Sequence, residues 1–96
     1  MKENYFTSNE WIFLADVFNG ALVEDQEREN KALFLASCED AERLDGTASR
    51  HGVEIGAFLD KARALSGQDI KRILGLIELY WAESDKVNLK EWAERL

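Results

Sequence analysis

The chain has 96 residues, of which 46% are apolar and 32% are charged, and its net charge at pH 7 is −7. This length is typical of one domain, and this balance of apolar and charged residues is typical of a globular protein rather than a disordered one. No apolar run approaches the roughly 18 residues that cross a bilayer, and the N-terminal residues do not resemble a signal peptide. We therefore expect one cytoplasmic domain over residues 1–96 that does not enter a membrane.

Residues suited to metal binding or catalysis are few. A zinc site would have to combine Cys38, the one cysteine, with His51, the one histidine, and with carboxylates. No activating motif surrounds either residue, and the chain has no glycine-rich phosphate loop, nucleophile elbow or EF-hand loop. We expect Cys38 to be a small buried residue and His51 to be structural. We expect the protein to have no enzymatic activity, no cofactor and no metal site.

Three segments, residues 6–11, 65–70 and 87–92, share one pattern that is typical of helix starts. Each has an apolar residue, a capping residue, two spacers, an acid and a second apolar residue. The capping side chains of Thr7, Ser66 and Asn88 can each accept a hydrogen bond from a free backbone N–H group. The acid near the positive helix end and the flanking apolar pair add support. We therefore predict that a helix begins at each of these three points.

Apolar spacing places the other helix boundaries. The first helix follows Thr7 and either continues to Leu22 or ends at Asn19-Gly20, a pair that favours positive φ. The second helix runs from about Asp25 to Leu44 and stops at Asp45-Gly46. Its predicted apolar side consists of Leu33, Phe34, Cys38, Ala41 and Leu44. A polar stretch over residues 46–52 then leads to a third helix over residues 55–65.

The fourth helix follows Ser66, and a short last helix closes the chain. The fourth has the cleanest apolar stripe, formed by Ile70, Ile73, Leu74, Ile77 and Trp81, and the last carries Leu89, Trp92, Ala93 and Leu96. The chain has no proline and no convincing alternation of period two, so a sheet is not expected. The sequence predicts an all-α fold, a compact bundle of four to five helices, with Trp11, Trp81 and Trp92 in the core.

The first predicted helix has an apolar face that is wider than an ordinary stripe. Phe13, Val17 and Ala21 extend this face beyond what a small bundle needs to cover. One interpretation is a homodimer that forms through these three residues. The other is that the first helix is central in the bundle and is covered on several sides.

Residues 47–58 resemble the centre of a helix-turn-helix motif, with its small, glycine and apolar positions at Ala48, Gly52, Val53 and Phe58. The second helix of such a motif would carry Glu54 and Asp60, and carboxylates are repelled by DNA phosphates. Binding would then depend on Arg50, Lys61 and Arg63. A DNA-binding regulator centred on residues 47–63 is the alternative function, and the acidic balance of the chain argues against direct nucleic-acid binding.

The C-terminal third resembles a short uncharacterised proteobacterial family. The similar positions are the run from Phe58 through Ala64 to Ser66-Gly67-Gln68, then Lys71-Arg72, Leu76, Trp81-Ala82 and Asn88-Leu89-Lys90-Glu91-Trp92. The chain departs from the family where the family has a double Trp-Asn and a downstream tail. The resemblance implies a bacterial origin and frequent carriage on mobile elements, and it implies no activity and no site residues.

Negative charge is concentrated in the first half of the chain. Residues 1–49 contain 11 acids and 4 bases, whereas residues 50–96 contain 8 of each. On the second predicted helix the acids lie opposite the apolar side, in an acidic stripe formed by Glu24, Asp25, Glu29, Glu39, Asp40 and Glu42. One interpretation is a solvated face that is partly neutralised by pairs such as Glu39 with Arg43.

The other interpretation is a surface that binds a basic partner. Small acidic helical proteins of phages and plasmids that inhibit nucleic-acid-handling machinery fit this general description. The sequence therefore predicts a small, acidic, non-enzymatic protein-binding protein of accessory or inhibitor type, whose acidic stripe contacts a basic protein surface.

The predicted last helix yields a test. Val87 and Trp92 form the staple of that helix, so we expect Trp92 to dock it onto the bundle. The substitution Trp92→Ala is then expected to lower the free energy of unfolding by about 3 kcal/mol. Thermal and urea unfolding measure this change, and an unchanged melting temperature would contradict the docked position.

Overall fold

The computed structural model describes residues 5–19 and 27–82, and the side chains of residues 5–19 and 31–80. These ranges contain five helices and no strand: α1 Ser8–Val17, α2 Glu27–Asp45, α3 Thr47–Arg50, α4 Ile55–Arg63 and α5 Gly67–Ala82. The predicted all-α bundle of four to five helices is confirmed. The predicted last helix with Trp92 lies outside the described residues, as do Ala21 and Leu22. None of the described helices is long and apolar enough to span a bilayer.

Two of the three predicted helix starts fall within the described residues, and both are confirmed. At the start of α1, the Thr7 hydroxyl oxygen accepts a hydrogen bond from the Glu10 N–H at 3.2 Å, and Glu10 Oε1 accepts one from the Thr7 N–H at 2.7 Å. At the start of α5, Ser66 Oγ accepts from the Asp69 N–H at 3.1 Å. These bonds satisfy backbone donors that the first turn of a helix leaves free.

Helix α1 takes the shorter of its two predicted lengths. It ends at Val17, and the Phe18 N–H donates to the carbonyl oxygen of Leu14 at 3.0 Å. Directly after the helix end, the Phe18 ring stacks on Phe34 of α2 with ring centroids 5.4 Å apart. This contact joins the end of α1 to the middle of α2.

The short helix α3 replaces part of the predicted polar stretch. Gly46 has φ 62 and Gly52 has φ 71, so a glycine in the left-handed region stands on either side of α3. Between them, Thr47 and Ala48 are buried, and the Val53 N–H donates to the Ala48 carbonyl oxygen at 2.8 Å. Residues 46–52 were predicted only as a polar stretch before the third helix, because a single turn is too short to show apolar periodicity.

The core lies between α1, α2, α4 and α5. Its largest fully buried side chains are Phe13, Phe34, Phe58, Leu14, Ile70, Ile73, Ile77 and Cys38. The rings of Phe13 and Phe58 meet edge to face with centroids 5.2 Å apart, an arrangement that the ring quadrupoles favour. Trp11 is also buried, which confirms its predicted core position, and its ring packs edge to face on Phe6 at 5.5 Å.

The structure corrects two predictions about which residues are buried. Phe13 is fully buried, so it cannot belong to a dimer face; Val17 is partly buried against the core. The apolar face of α1 is wide because α1 is central in the bundle and is covered on several sides. Leu33 and Leu44 were predicted on the apolar side of α2, but they are 49% and 73% exposed. Successive helix residues point about 100° apart, so Phe34 takes the core position and excludes Leu33 from it.

The burial pattern predicts opposite outcomes for two apolar truncations. Phe13→Ala leaves a cavity in the core and is expected to lower the free energy of unfolding by about 3–5 kcal/mol. Leu44→Ala, the matched control on the surface, is expected to change it by less than about 0.5 kcal/mol. Urea unfolding followed by circular dichroism measures both. Equal losses from the two variants would contradict the assignment of Phe13 to the core and Leu44 to the surface.

Candidate functional site

The side of α2 that faces away from the core carries Leu44, the most exposed large apolar side chain in the described part of the chain. We define the outer face of α2 as the exposed residues Leu33, Ala36, Asp40, Arg43 and Leu44. Leu33 and Leu44 are eleven residues apart, which is close to three full helical turns, so they lie on the same side about 16 Å from each other. Large apolar side chains that share one exposed side are candidates for a contact surface.

Carboxylates lie within and beside this face. Asp40 accepts a hydrogen bond from Arg43 at 2.8 Å, and Glu39 accepts one from Arg63 of α4 at 3.2 Å. All four side chains are more than half exposed. Exposed ion pairs contribute little to stability, because water screens the charges and the side chains lose freedom. Both carboxylates are therefore free to exchange partners at low cost.

Glu42 has a different role, since its carboxylate caps α3. Glu42 Oε1 accepts a hydrogen bond from the Ser49 hydroxyl at 2.7 Å, and Oε2 accepts one from the Ser49 N–H at 3.1 Å. Gly46 stands at the N-cap of α3 and has no side chain to fill that role. The hydrogen bonds from Ser49 hold the pKa of Glu42 below its ordinary value. The carboxylate therefore belongs to the α2–α3 turn and not to a free surface.

The predicted acidic stripe is thus divided by the structure. Glu24 and Asp25 lie outside the described residues, and Glu29 lies on α2 but its side chain is not among those described. Asp40 is on the outer face of α2, whereas Glu39 turns toward α4. The pair expected between Glu39 and Arg43 is replaced by the pairs Asp40 with Arg43 and Glu39 with Arg63. The exposed leucines were missed, although the adjacency of Leu33 and Phe34 indicates that only one of them can face the core.

The bases that a helix-turn-helix function would need already contact other groups of the protein. Lys61 donates to Glu10 Oε1 at 2.8 Å and to the Tyr5 carbonyl oxygen at 3.2 Å. Arg63 contacts Glu39, and Arg50 donates to the Thr47 hydroxyl oxygen at 3.1 Å. These contacts would have to break before the same nitrogens could bind phosphate oxygens.

A shallow groove of about 330 Å³ lies where the N-terminal ends of α1 and α4 approach each other. It is lined by Thr7, Asn9, Glu10, Gly52, Val53, Glu54 and Ala57. The Glu10 carboxylate on its wall is neutralised by Lys61, and Glu54 at the start of α4 makes no capping bond with its side chain. The lining includes no cysteine, histidine or basic side chain.

Cys38 and His51 have separate environments. Cys38 is fully buried on α2, where burial, with a smaller effect of the Glu39 charge, raises the pKa of its thiol above the ordinary value. A thiol in this environment is a poor nucleophile and metal ligand. The nearest polar partner of His51 is Asp16 of α1, with Nε2 and Oδ2 3.0 Å apart. Among the described residues, no three His, Cys, Asp or Glu side chains lie together as a metal site would need.

Comparisons with known proteins give no match. No family model, no curated protein and no solved structure is significantly similar to this chain.

The Glu42 contact predicts a pH-dependent stability. A carboxyl group whose pKa is lowered by folding stabilises the protein above its unfolded pKa, and that stability is lost as the pH falls through the folded pKa. Glu42→Gln is therefore expected to lower the melting temperature at pH 7 and to make it fall less steeply below pH 4.5, the ordinary pKa of this group. Thermal unfolding between pH 7 and about pH 3 measures the change.

Two further variants serve as controls for this prediction. Ser49→Ala removes one of the two donors and is expected to give part of the effect of Glu42→Gln. Asp45→Asn removes a neighbouring exposed charge and is expected to leave the melting temperature at pH 7 nearly unchanged. Parallel pH profiles for Glu42→Gln and the unaltered protein would contradict the capping role.

Proposed function

We propose that this chain is a small, acidic, non-enzymatic binding protein that contacts a basic protein surface through the outer face of α2. The observation that carries the proposal is the exposure of Leu33 and Leu44 on the same side as Asp40. Isolated exposed leucines are ordinary, but two on one stripe beside carboxylates have the composition of a contact surface that combines apolar burial with charge.

The sign of the charge supports a basic partner. Residues 27–45, which form α2, include six acids and three bases, and the whole chain has a net charge of −7. An acidic surface attracts cationic proteins over several ångströms and repels the phosphate backbone of nucleic acids. Proteins that handle nucleic acids carry basic surfaces, because cationic side chains attract the phosphates. In biological terms, the protein has an accessory or inhibitor role toward such machinery. It acts in the cytoplasm and is encoded by a phage or a mobile element.

The second candidate is the helix-turn-helix regulator centred on residues 47–63. In its favour, Ala48, Val53 and Phe58 are buried and Gly52 has φ 71, as that motif requires. Against it, α3 is a single turn, and α4 exposes Asp60 while Lys61 and Arg63 contact other residues. The electrostatics of the chain therefore favour the protein-binding function.

Charge reversal on α2 tests the proposal. The variant Asp40→Lys/Asp45→Lys is expected to lose capture of an identified partner from host lysate, because it replaces two exposed acids of α2 with cations. The matched control, Asp60→Lys/Glu78→Lys, makes the same change of net charge at exposed positions on α4 and α5 and is expected to retain capture. Raised salt is expected to slow association of the unaltered protein.

Circular dichroism of both variants verifies that they are folded. Equal capture by the two variants would contradict a role for the acids of α2 in binding. If Asp40→Lys/Asp45→Lys instead binds DNA fragments in the absence of any partner protein, and Arg50→Ala removes that binding, the helix-turn-helix function is favoured.

A further inference from the structure

We infer that Asn19 is a site of spontaneous deamidation in the folded protein. The modification is independent of the proposed function, because it changes the chain itself and its only co-reactant is water. Three observations support it: the identity of the residue that follows Asn19, the end of α1 at Val17, and the exposure of the Asn19 side chain.

The reaction takes place at the side-chain amide of Asn19. The backbone nitrogen of residue 20 forms a bond to Asn19 Cγ, and the side-chain nitrogen leaves as ammonia, which gives a cyclic succinimide. Water then adds to either carbonyl group of the ring and opens it, so the product is aspartate or isoaspartate. Residue 20 is a glycine, which has no Cβ to hinder its nitrogen. The sequence at this position therefore favours ring closure.

The end of α1 removes the protection that a helix would give to Asn19. Inside an α-helix, the backbone N–H of each residue donates to a carbonyl oxygen four residues earlier, and the helical ψ angle keeps the following nitrogen away from the side chain. Because α1 ends at Val17, Asn19 is not a residue of that helix. Its side chain is exposed and makes no hydrogen bond in the described part of the chain.

Asn9 shows that exposure alone does not make an asparagine reactive. It is also exposed, but it lies in the first turn of α1. The nitrogen that would have to attack its side chain is that of Glu10, and this N–H donates to the Thr7 hydroxyl oxygen at 3.2 Å. The side chain of Glu10 hinders the approach further. We therefore expect Asn9 to stay intact while Asn19 reacts.

The end of α2 offers a matched comparison. Asp45 is exposed, follows a large apolar residue and precedes a glycine, as Asn19 does. However, Asp45 is the last residue of α2, and the Gly46 N–H donates to the Glu42 carbonyl oxygen at 3.0 Å. The substitution Asp45→Asn therefore places a second Asn-Gly pair where the attacking nitrogen is held by a hydrogen bond.

The Asp45→Asn variant tests the inference, because it carries both pairs in one chain. Folded protein and protein unfolded in guanidinium chloride are incubated at the same mildly alkaline pH, and peptide mapping by mass spectrometry follows each position. In the unfolded chain, positions 19 and 45 are expected to convert at similar rates, since their neighbours are alike. In the folded protein, position 19 is expected to convert about tenfold faster than position 45, because reaction at position 45 requires local opening of α2.

Isoelectric focusing gives a second measurement on the unaltered protein. Each conversion adds one negative charge, so the net charge changes from −7 to −8 and an acidic species is expected to accumulate with time. Asn19→Gln is expected to prevent this accumulation, since the longer side chain would have to close a larger ring. Asn9→Gln is the matched control and is expected to accumulate the acidic species at the rate of the unaltered protein.

Three outcomes would overturn the inference. The first is that Asn19 stays intact in the folded protein while it converts in the unfolded chain. The second is equal conversion of positions 19 and 45 in the folded Asp45→Asn variant, because the dipeptide alone would then set the rate. The third is an acidic species that persists in Asn19→Gln, because the reacting amide would then lie elsewhere in the chain.

Discussion

The carboxylate of Glu10 joins the first helix of the bundle to the fourth. Its side chain is only 10% exposed, and Oε1 accepts hydrogen bonds from both the Thr7 N–H and Lys61 Nζ. A carboxylate this deeply buried is tolerated only when a cation and a donor compensate it. Tyr5 adds a return contact, since its hydroxyl donates to the Lys61 carbonyl oxygen at 2.9 Å. The start of α1 is therefore held against α4, and the rings of Phe6 and Phe58 meet beneath this polar contact at 5.3 Å.

Helix α2 has separate tasks on its different sides. Its inner side carries Phe34 and Cys38 in the core, and at its C-terminal end Glu42 caps α3. Lys31 donates to the Arg63 carbonyl oxygen at the end of α4 at 2.9 Å, where a cation suits the negative helix end. These contacts come from the inner side of α2 and its two edges. In the described part of the chain, the outer face is therefore not needed to hold the helices together. Because the packing contacts of α2 are made on its other sides, α2 can expose Leu33 and Leu44 while the fold stays intact.

Much of the fold could be predicted from the sequence, because caps and apolar spacing are local signals. The bonds of Thr7 with Glu10 and the core position of Ile70 follow from such signals. The candidate site could be predicted only in part. The sequence places Asp40 and Glu42 on one helix, but the cap on Ser49 depends on a turn at Gly46 that positions α3 back against α2. The exposure of Leu33 likewise depends on how α2 is rotated against its neighbours, and that rotation is a property of tertiary packing.

The burial of Cys38 makes this chain unusually simple to label. It is the single cysteine of the sequence and has no exposed surface, so its thiol is shielded from alkylating reagents and from oxidation while the fold is intact. A cysteine introduced at an exposed position such as Ala36 would then be the one reactive thiol of the native protein. Dyes, spin labels or cross-linkers can be attached to a chosen surface position without first removing the native cysteine, so Cys38 keeps its place in the core.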